Sequence, residues 1–338
     1  MFWVVVSLTG CNSLKTRDQQ KRPQPTRPTP STRTGDIPRQ TESPLQLPTE
    51  QTPTQTTTQA PPPQPSPPPP TAPIATATPL PPKVYPKIGV ILGPGGMKTF
   101  AHLGVLREMN RARIPVHAIV GLEWGAVMAG AFAASGQIND AEWKAYKLRE
   151  VELPGSGLLS RDISAAPISK LMPFLEAAFG STPVDRAKID FACPAFSKGA
   201  ATVSWLNKGS LKDAVAKCVP YSPLYQDNGG WIASPFSVDD AAAWLRSRGA
   251  NVILLVDVLG QGEYLPSKSA SDLSPENLIW SEIRRELYRA RPPEVNHVIH
   301  VNTTGRPVTD FNGRRELMDA GLKAATDPLN KMVSQYGF

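Results

Sequence analysis

Residues 87–106 read KIGVILGPGGMKTFAHLGVL, and this stretch decides the fold class of the chain. Its first six residues form a short apolar run of the kind found in a buried parallel strand. The run breaks into a glycine turn at 93–96, after which apolar side chains recur near helical spacing as far as Met109. The stretch therefore predicts a strand, a glycine turn and a helix in direct succession.

A second unit of the same kind follows. Val116–Val120 predicts another strand, Gly121 breaks it, and the small residues Ala126–Ala134 predict a helix that Gly136 ends. Farther along, strands are predicted at Ala187–Phe191, Asn251–Val258 and Val295–Val301, and helices at Asp239–Arg248, Pro275–Ala290 and Arg314–Thr326. Strands that alternate with helices predict an α/β fold with a mostly parallel central sheet covered by helices on both faces.

The first quarter of the chain has a different composition. Residues 12–82 consist largely of Pro, Thr, Gln and Ser and hold more than half of the 37 prolines. Such a segment buries too little apolar surface to fold, so we predict a disordered tether over 11–83 and one folded domain over 84–338. The sequence leaves open whether the Pro-rich segment also serves as a ligand for a partner protein.

The first eleven residues resemble a targeting signal for the bacterial cell envelope. Phe2–Leu8 is apolar but too short to span a bilayer, and it ends in Leu8-Thr9-Gly10-Cys11, which resembles the bacterial lipobox. The resemblance implies a signal peptide over 1–10 and a lipid on Cys11, the first residue of the mature chain. We therefore expect a lipid-anchored protein in the outer membrane, facing the periplasm.

The formal net charge of +7 does not indicate a nucleic-acid-binding protein. Many basic side chains stand in the predicted tether, between Lys15 and Arg39, and the sequence has no basic patch interleaved with aromatic residues. The tether charges either lie against anionic headgroups or keep the segment solvated, and the sequence leaves both readings open. The expected partner is the membrane, reached through the lipid, and no nucleic acid.

We expect no metal and no cofactor. Cys193 and Cys218 are the two cysteines of the predicted domain, and their spacing matches no metal motif. They can pair in an oxidising compartment or remain as buried thiols, and the sequence does not decide between these states. A P-loop would need glycines at Leu92 and Met97, so the Lys-Thr pair at 98–99 does not indicate a nucleotide site.

One motif indicates a catalytic fold. Gly121-Leu122-Glu123-Trp124-Gly125 has the spacing of the G-x-S-x-G turn, which projects a nucleophile above an α/β sheet. It also stands between a predicted strand and a predicted helix, but Glu123 occupies the position of the serine. On its own the spacing is a weak signal, because two glycines four residues apart also suit an ordinary tight helix start.

Three segments, taken in order, resemble the patatin-like phospholipase family. Residues 93–106 are similar to its oxyanion loop, a G-G-G-x-[RK]-G turn that leads into a helix with H-x-G-V-L. Residues 121–126 are similar to its nucleophile turn, and Asn228-Gly229-Gly230 falls where the family has D-G-G or D-G-A. The resemblance covers most of 88–257, and it implies the three-layer patatin-like fold.

The resemblance also implies a serine–aspartate dyad, whose nucleophile maps to Glu123 and whose base maps to Asn228. An amide cannot accept a proton at neutral pH, and a carboxylate that attacks an ester gives an anhydride that reverts. Losing a comparable nucleophile lowers kcat by about 10⁶. We therefore expect a pseudoenzyme that binds lipid or a protein partner, with phospholipid or an acyl chain in its cleft. The alternative is an active lipid acyl hydrolase that uses other groups.

The glycine loop departs from the family pattern as well. Pro94 and Thr99 stand at two of its glycine positions, and proline has no N–H to donate. The amides of Gly95, Gly96 and Met97 remain as the predicted oxyanion hole.

An acidic residue at a site built for negative charge suggests a specific hypothesis. We predict that the Glu123 carboxylate lies where the oxyanion would sit, held by the amides of Gly95 and Gly96 and by the following helix N-terminus. The other reading is simple drift at an abandoned site.

Three further side chains stand near these motifs in the sequence. Lys98 keeps the basic position of the family, and His102 matches a helix position at which we expect packing or a hydrogen bond. Asp227 could be proposed as a displaced base, but a shift of one residue points its side chain elsewhere.

Overall fold

The computed structural model of the chain describes residues 86–154, 165–259, 283 and 295–338. The predicted signal peptide, the tether over 11–83 and the anchor Cys11 lie outside these residues. So does the helix predicted at Pro275–Ala290, apart from Ile283, which is buried.

A seven-stranded sheet forms the centre of the domain. Its strands are β1 (Ile88–Leu92), β2 (Val116–Gly121), β3 (Asp190–Ser197), β4 (Thr202–Leu206), β5 (Trp231–Ala233), β6 (Val252–Asp257) and β7 (His297–His300). The order is β4-β3-β2-β1-β6-β7, with β5 also paired to β3. The pairings among β1, β2, β3, β6 and β7 are parallel, while β4 and β5 run antiparallel to β3. The predicted α/β class with a mostly parallel sheet is confirmed.

Helices cover both faces of this sheet. They are α1 (Phe100–Arg111), α2 (Gly125–Ser135), α3 (Ile138–Tyr146), α4 (Met172–Phe179), α5 (Leu211–Cys218), α6 (Val238–Ser247) and α7 (Arg314–Tyr336). Because side chains alternate along a strand, Val90 packs into one buried cluster with α1 to α5 and α7, while Ile91 packs into a second cluster with α6. Among the helices of the described residues, none has the length and apolar character needed to cross a bilayer.

Two predicted elements have different bounds in the structure. The strand predicted at Ala187–Phe191 begins at Asp190 and runs on to Ser197, where it pairs with β4 and β5. The helix predicted to end at Thr326 continues through Pro328 to Tyr336. Leu329 and Met332 are fully or almost fully buried, so packing of the last turns holds the helix together across the proline.

The backbones of α1 and α7 lie in direct contact at two glycines. A Cβ on Gly104 would stand 1.9 Å from the Met318 carbonyl oxygen, and a Cβ on Gly321 would stand 1.9 Å from the Ala101 carbonyl oxygen. Only glycine fits at either position. This contact fixes the start of α1, and with it the glycine loop that precedes the helix.

Candidate active site

The glycine loop and the Glu123 turn lie side by side at one edge of the sheet. The loop follows β1 and the turn follows β2, and the carboxyl ends of neighbouring parallel strands share an edge. The two turns are also joined directly, since the Leu122 N–H donates to the Leu92 carbonyl at 2.9 Å. Residues 30 positions apart therefore meet in one site.

The Glu123 turn has the sharp geometry of a nucleophile elbow. A Cβ on Gly121 would stand 2.3 Å from the Ala126 Cα, and a Cβ on Gly125 would stand 2.4 Å from the Leu92 carbonyl oxygen. Glu123 itself has φ of 52°, in the left-handed region that side chains rarely adopt. Such a backbone costs about 1–3 kcal/mol and persists only where its surroundings impose it. The turn has kept its strained form although the serine is absent.

The Glu123 carboxylate is fully buried and contacts the glycine loop. Its Oε2 atom accepts hydrogen bonds from the Gly95 and Gly96 amides, each at 3.1 Å. The amide of Trp124, the next residue in the chain, also hydrogen-bonds to the carboxylate. The predicted hydrogen bonds from Gly95 and Gly96 are present, and so is the predicted contact with the N-terminus of the following helix, which Trp124 provides.

The prediction for Met97 is wrong. Its N–H donates to the Val308 carbonyl at 2.7 Å and is not directed at the carboxylate. The cause is the close approach of the chain at Val308, whose carbonyl oxygen would stand 2.4 Å from a Cβ on Gly96. Trp124 supplies the amide that Met97 does not. The sequence did contain a signal for this, because the residue after the nucleophile commonly donates to an oxyanion in this type of turn.

Burial and hydrogen bonding act on Glu123 in opposite directions. Burial raises the pKa of this carboxyl to about 7, while the amides of Trp124, Gly95 and Gly96 partly oppose the shift. Within the described residues, the Oε1 atom has no hydrogen-bond partner. No hydroxyl of those residues therefore lies within hydrogen-bond reach of it.

Asn228 is the first residue of a tight turn that ends at Trp231. Its backbone pairs with Trp231 in both directions, and Gly229 and Gly230 between them both have positive φ, as a type I′ turn requires. Its side-chain Nδ2 donates to the Ala216 carbonyl at 3.1 Å. In the part of the chain that is described, no hydrogen bond joins Asn228 to Glu123.

Comparison with known proteins agrees with this arrangement of loop and turn. Residues 90–256 match the sequence profile of the family described as patatin-like phospholipase, and this match contains both turns and Asn228. The domain belongs to the patatin-like phospholipase family. The degenerate dyad stays a prediction from the alignment of motifs.

Relatives of this patatin-like domain occur in bacteria and fungi. An uncharacterized NTE family protein of Mycobacterium tuberculosis is 28% identical over 133 residues, 38% of this chain and 36% of that protein. The lysophospholipase nte1 of Emericella nidulans is 22% identical over 207 residues, 59% of this chain and 13% of that protein. The chain therefore corresponds to only part of the length of either relative.

Two solved structures are similar to the patatin-like domain. One is VipD from Legionella pneumophila, with a TM-score of 0.44 and 10% identity over 75% of this chain and 67% of that one. The other is the type III effector protein ExoU, with a TM-score of 0.36 and 11% identity over 73% of this chain and 53% of that one.

The Asp227 carboxylate of the patatin-like domain is engaged elsewhere. Its carboxylate pairs with the Lys198 ammonium at 2.7 Å and accepts the Gly230 N–H at 2.8 Å. The hydrogen bond from Lys198 is the main reason why the pKa of Asp227 is lowered. The prediction that its side chain points elsewhere is confirmed.

His102 on α1 forms a hydrogen bond with the first residue of the glycine loop. Its Nε2 atom lies 2.8 Å from the Gly93 carbonyl oxygen, and a carbonyl only accepts, so Nε2 carries the proton. Burial lowers the pKa of His102 to about 4, which keeps the ring neutral. The predicted hydrogen-bonding role is confirmed. Lys98, at the basic position of the family pattern, is also fully buried.

Two tyrosines that sequence reasoning missed lie near the site. Tyr225 is buried with its ring 6.3 Å from that of Trp124, between centroids. Burial raises the pKa of Tyr221, and the nearby charge of Glu123 adds to that shift. Ala166 hydrogen-bonds to the backbone on both sides of Tyr225, at Leu224 and Gln226. Burial and, to a smaller extent, the charge of Glu123 also raise the pKa of Tyr225, so both tyrosines lie near enough to feel the buried carboxylate.

A disulfide bond joins Cys193 of β3 to Cys218 at the end of α5, which decides the question that the sequence left open. Both cysteines are fully buried. Ala216, whose carbonyl binds the Asn228 side chain, lies in the last turn of the same helix. The bond therefore ties the Asn228 turn to the central sheet.

We expect the double substitution Cys193→Ala with Cys218→Ala to lower the free energy of unfolding by about 2 kcal/mol, because it removes a cross-link and leaves a small cavity. Urea unfolding of the oxidised protein and of the variant measures the difference. The parent chain unfolded after reduction is the matched control, because it loses the cross-link but keeps both sulfur atoms and leaves no cavity. Equal midpoints for the parent chain and the double variant would contradict the expectation.

Proposed function

We propose that this chain is a membrane-anchored patatin-like lipoprotein that binds lipid or a protein partner and does not hydrolyse esters. The observation that carries the proposal is the Glu123 carboxylate on the amides of Gly95 and Gly96. These are the donors that would otherwise stabilise the oxyanion of an acyl-transfer reaction. In the proposed state the protein's own side chain fills its oxyanion hole.

The chemistry of the site supports an inert domain. The buried Glu123 oxygen that accepts the loop amides is not available for attack, and an acyl adduct on a carboxylate would be an anhydride that reverts. Asn228 donates its amide N–H to the Ala216 carbonyl, so it presents no proton acceptor of useful basicity there. An oxyanion hole and bound geometry alone leave about 10³ over the uncatalysed rate in comparable enzymes, and here the hole is occupied.

The proposed location is the periplasmic side of the outer membrane, with the lipid on Cys11 as the anchor. The lipobox-like sequence supports the anchor. The disulfide between Cys193 and Cys218 supports an oxidising compartment, because such bonds are rare in the bacterial cytosol.

The proposed ligand is a phospholipid or another acyl lipid. The name of the fungal relative, a lysophospholipase, supports this class. An open cleft of about 440 Å³ beside α5 also supports it, since apolar side chains (Ile168, Met172, Ala216) and polar ones (Ser169, Asp213, Lys217, Asn228) line it together. A mixed lining of this kind suits an amphiphile.

We expect the purified full-length chain to show no turnover of p-nitrophenyl esters or of phospholipid vesicles above the buffer rate. We also expect no labelling by a fluorophosphonate, since that reagent needs an activated hydroxyl. Both assays test the proposal directly. Turnover that disappears in Glu123→Ala would overturn it, and labelling of another residue would establish the alternative, a hydrolase that uses other groups.

Glu123→Ala also tests the filled oxyanion hole without relying on a negative result. The variant leaves the amides of Gly95, Gly96 and Trp124 without an acceptor, in a space the size of a small carboxylate. Acetate should bind there and raise the Tm of the variant by about 3 °C, with no effect on the parent chain. Sodium chloride at equal ionic strength is the control. Equal responses of variant and parent to acetate would argue against an anion site.

A further inference from the structure

A second surface of the domain has an unusual composition. Among the described residues, six large hydrophobic side chains are exposed, and three of them lie within nine positions on α3 and the turn after it. Trp143 is 63% exposed, Tyr146 is 45% exposed and Val151 is 62% exposed. Trp143 and Tyr146 are three positions apart on α3 and are therefore neighbours on its surface, and Val151 follows five positions later. Together with Lys147 we call these residues the Trp143 surface. Clustering of this kind marks interaction sites more often than isolated exposed residues do.

The Trp143 surface is held in place by contacts along its base. The Lys147 ammonium lies 3.8 Å from the centroid of the Trp143 ring and donates to the Ala177 carbonyl at 2.6 Å. The Tyr146 hydroxyl donates to the Met318 sulfur at 3.2 Å. The rings therefore do not need to be ordered when a partner binds, which lowers the entropy lost on binding.

The charges around this surface are largely neutralised within it. Lys144 pairs with Asp140, Arg149 pairs with Glu152, and Glu142 pairs with Arg107 on α1. Glu150, the remaining acidic residue of the segment, lies near Arg314, and its negative charge favours the charged form of that guanidinium. The surface is thus apolar and aromatic with little net charge, and it does not resemble a site for a strongly anionic partner.

We infer that the Trp143 surface is a second membrane contact, which inserts into the headgroup region of the bilayer that holds the anchored chain. Tryptophan and tyrosine favour this region because each has an apolar body and a polar edge, and lysine can keep its charge in water beside them. The choice of a bilayer as the occupant rests on the proposed anchor. About 75 residues separate Cys11 from Pro86, so a predicted tether of that length would average about 45 Å and keep the domain within reach of the membrane.

The low net charge of the Trp143 surface predicts how its binding to a bilayer depends on lipid charge and on salt. Insertion of aromatic and aliphatic side chains should work on zwitterionic vesicles and should depend little on salt, whereas electrostatic attraction to anionic lipid falls steeply with salt. The two modes of binding are therefore distinguishable by lipid composition and ionic strength.

The test uses the full-length chain with Cys11→Ala, which carries no lipid, and phosphatidylcholine vesicles in a flotation assay. We expect binding at 0.1 M and at 0.5 M salt, and a loss of at least about tenfold in affinity for the variant with Trp143→Ala and Val151→Ser. A blue shift of tryptophan emission on binding should disappear in Trp143→Phe. Phe236→Ala, which removes an aromatic side chain 48% exposed elsewhere on the domain, is the matched control and should bind as the parent does.

Three outcomes would overturn the inference. They are no binding to the vesicles, equal binding by the parent and the Trp143 and Val151 variant, and self-association of the parent that the same substitutions abolish. The last result would assign the surface to a second copy of the chain. Detergent phase partition of the natural sequence reports on the anchor separately, so failure of the proposed anchor and failure of the Trp143 surface are told apart.

Discussion

Replacing Glu123 with glutamine should remove the contribution by which this side chain lowers the free energy of unfolding as the pH rises from about 4.5 to about 7. Burial raises the pKa of this carboxyl from its ordinary 4.5 to about 7 in the folded domain. Between these values the unfolded chain releases the proton and the folded chain keeps it, so the contribution of Glu123 to stability is full below pH 4.5 and lost as pH rises through 7. The difference amounts to about 3 kcal/mol.

The comparison has to be made between two variants, because His102 has the opposite effect. Burial lowers the pKa of His102 to about 4, so its contribution to stability is lost as pH falls from about 6.5 through 4. The two slopes oppose each other in the parent chain. Subtracting the unfolding free energies of the parent and Glu123→Gln at each pH cancels the His102 contribution and leaves that of Glu123.

Glutamine is the appropriate substitution because it keeps the shape of glutamate and an oxygen that can accept from the Gly95 and Gly96 amides. Urea unfolding at pH 4.5, 6 and 8 gives the required free energies. The parent should lose about 3 kcal/mol relative to Glu123→Gln over this range, with no further change above pH 8. A constant difference would mean that folding does not raise the pKa of the Glu123 carboxyl, and would contradict the balance between burial and hydrogen bonding described above.

The outcome also bears on the proposed filling of the oxyanion hole. The Oε2 atom accepts the loop amides, so a proton on the acid must reside on Oε1. The buried acid can therefore keep its contacts with Gly95 and Gly96 in both charge states. The hole stays filled on either side of pH 7, and only the stability of the domain changes.

Local patterns were sufficient to predict the centre of the fold. The runs that became β1, β2 and β6 are apolar and end at glycine or at a polar residue, so their identity did not depend on distant parts of the chain. The Glu123 contact was predictable for a related reason, since two adjacent parallel strands bring their following turns together and amides at a helix start attract a carboxylate. These are properties of short segments.

The failures concern contacts between distant segments. The Met97 amide is drawn to Val308, more than 200 positions away, and no local pattern announces that partner. The strand β4 is exposed or half-buried along its whole length and lacks the apolar run that identified the others. The predicted helix ends at Thr326, whereas buried side chains beyond Pro328 keep α7 intact to Tyr336. In each case tertiary packing overrides the local preference.

Replacing Gly321 with alanine should destabilise the domain by about 3 kcal/mol or more. A Cβ at this position would stand 1.9 Å from the Ala101 carbonyl oxygen and 2.8 Å from its carbon, so backbone atoms of α1 would have to move away from α7. The atoms that the new Cβ would meet belong to the backbone of α1, not to a flexible side chain that could rotate away. We expect the Tm to fall by about 10 °C, which calorimetry or urea unfolding would detect.

Gly104→Ala tests the same contact from the other helix, because its Cβ would stand 1.9 Å from the Met318 carbonyl oxygen and 2.6 Å from the Leu322 nitrogen. The two substitutions share one interface, so the double variant should lose less than the sum of the single losses. Gly199→Ala is the matched control, since nothing lies within 4 Å of its added Cβ, and it should change stability by less than about 0.5 kcal/mol. If Gly321→Ala were as stable as the Gly199→Ala control, the close contact of α1 with α7, and the fixed position of the glycine loop that depends on it, would both be wrong.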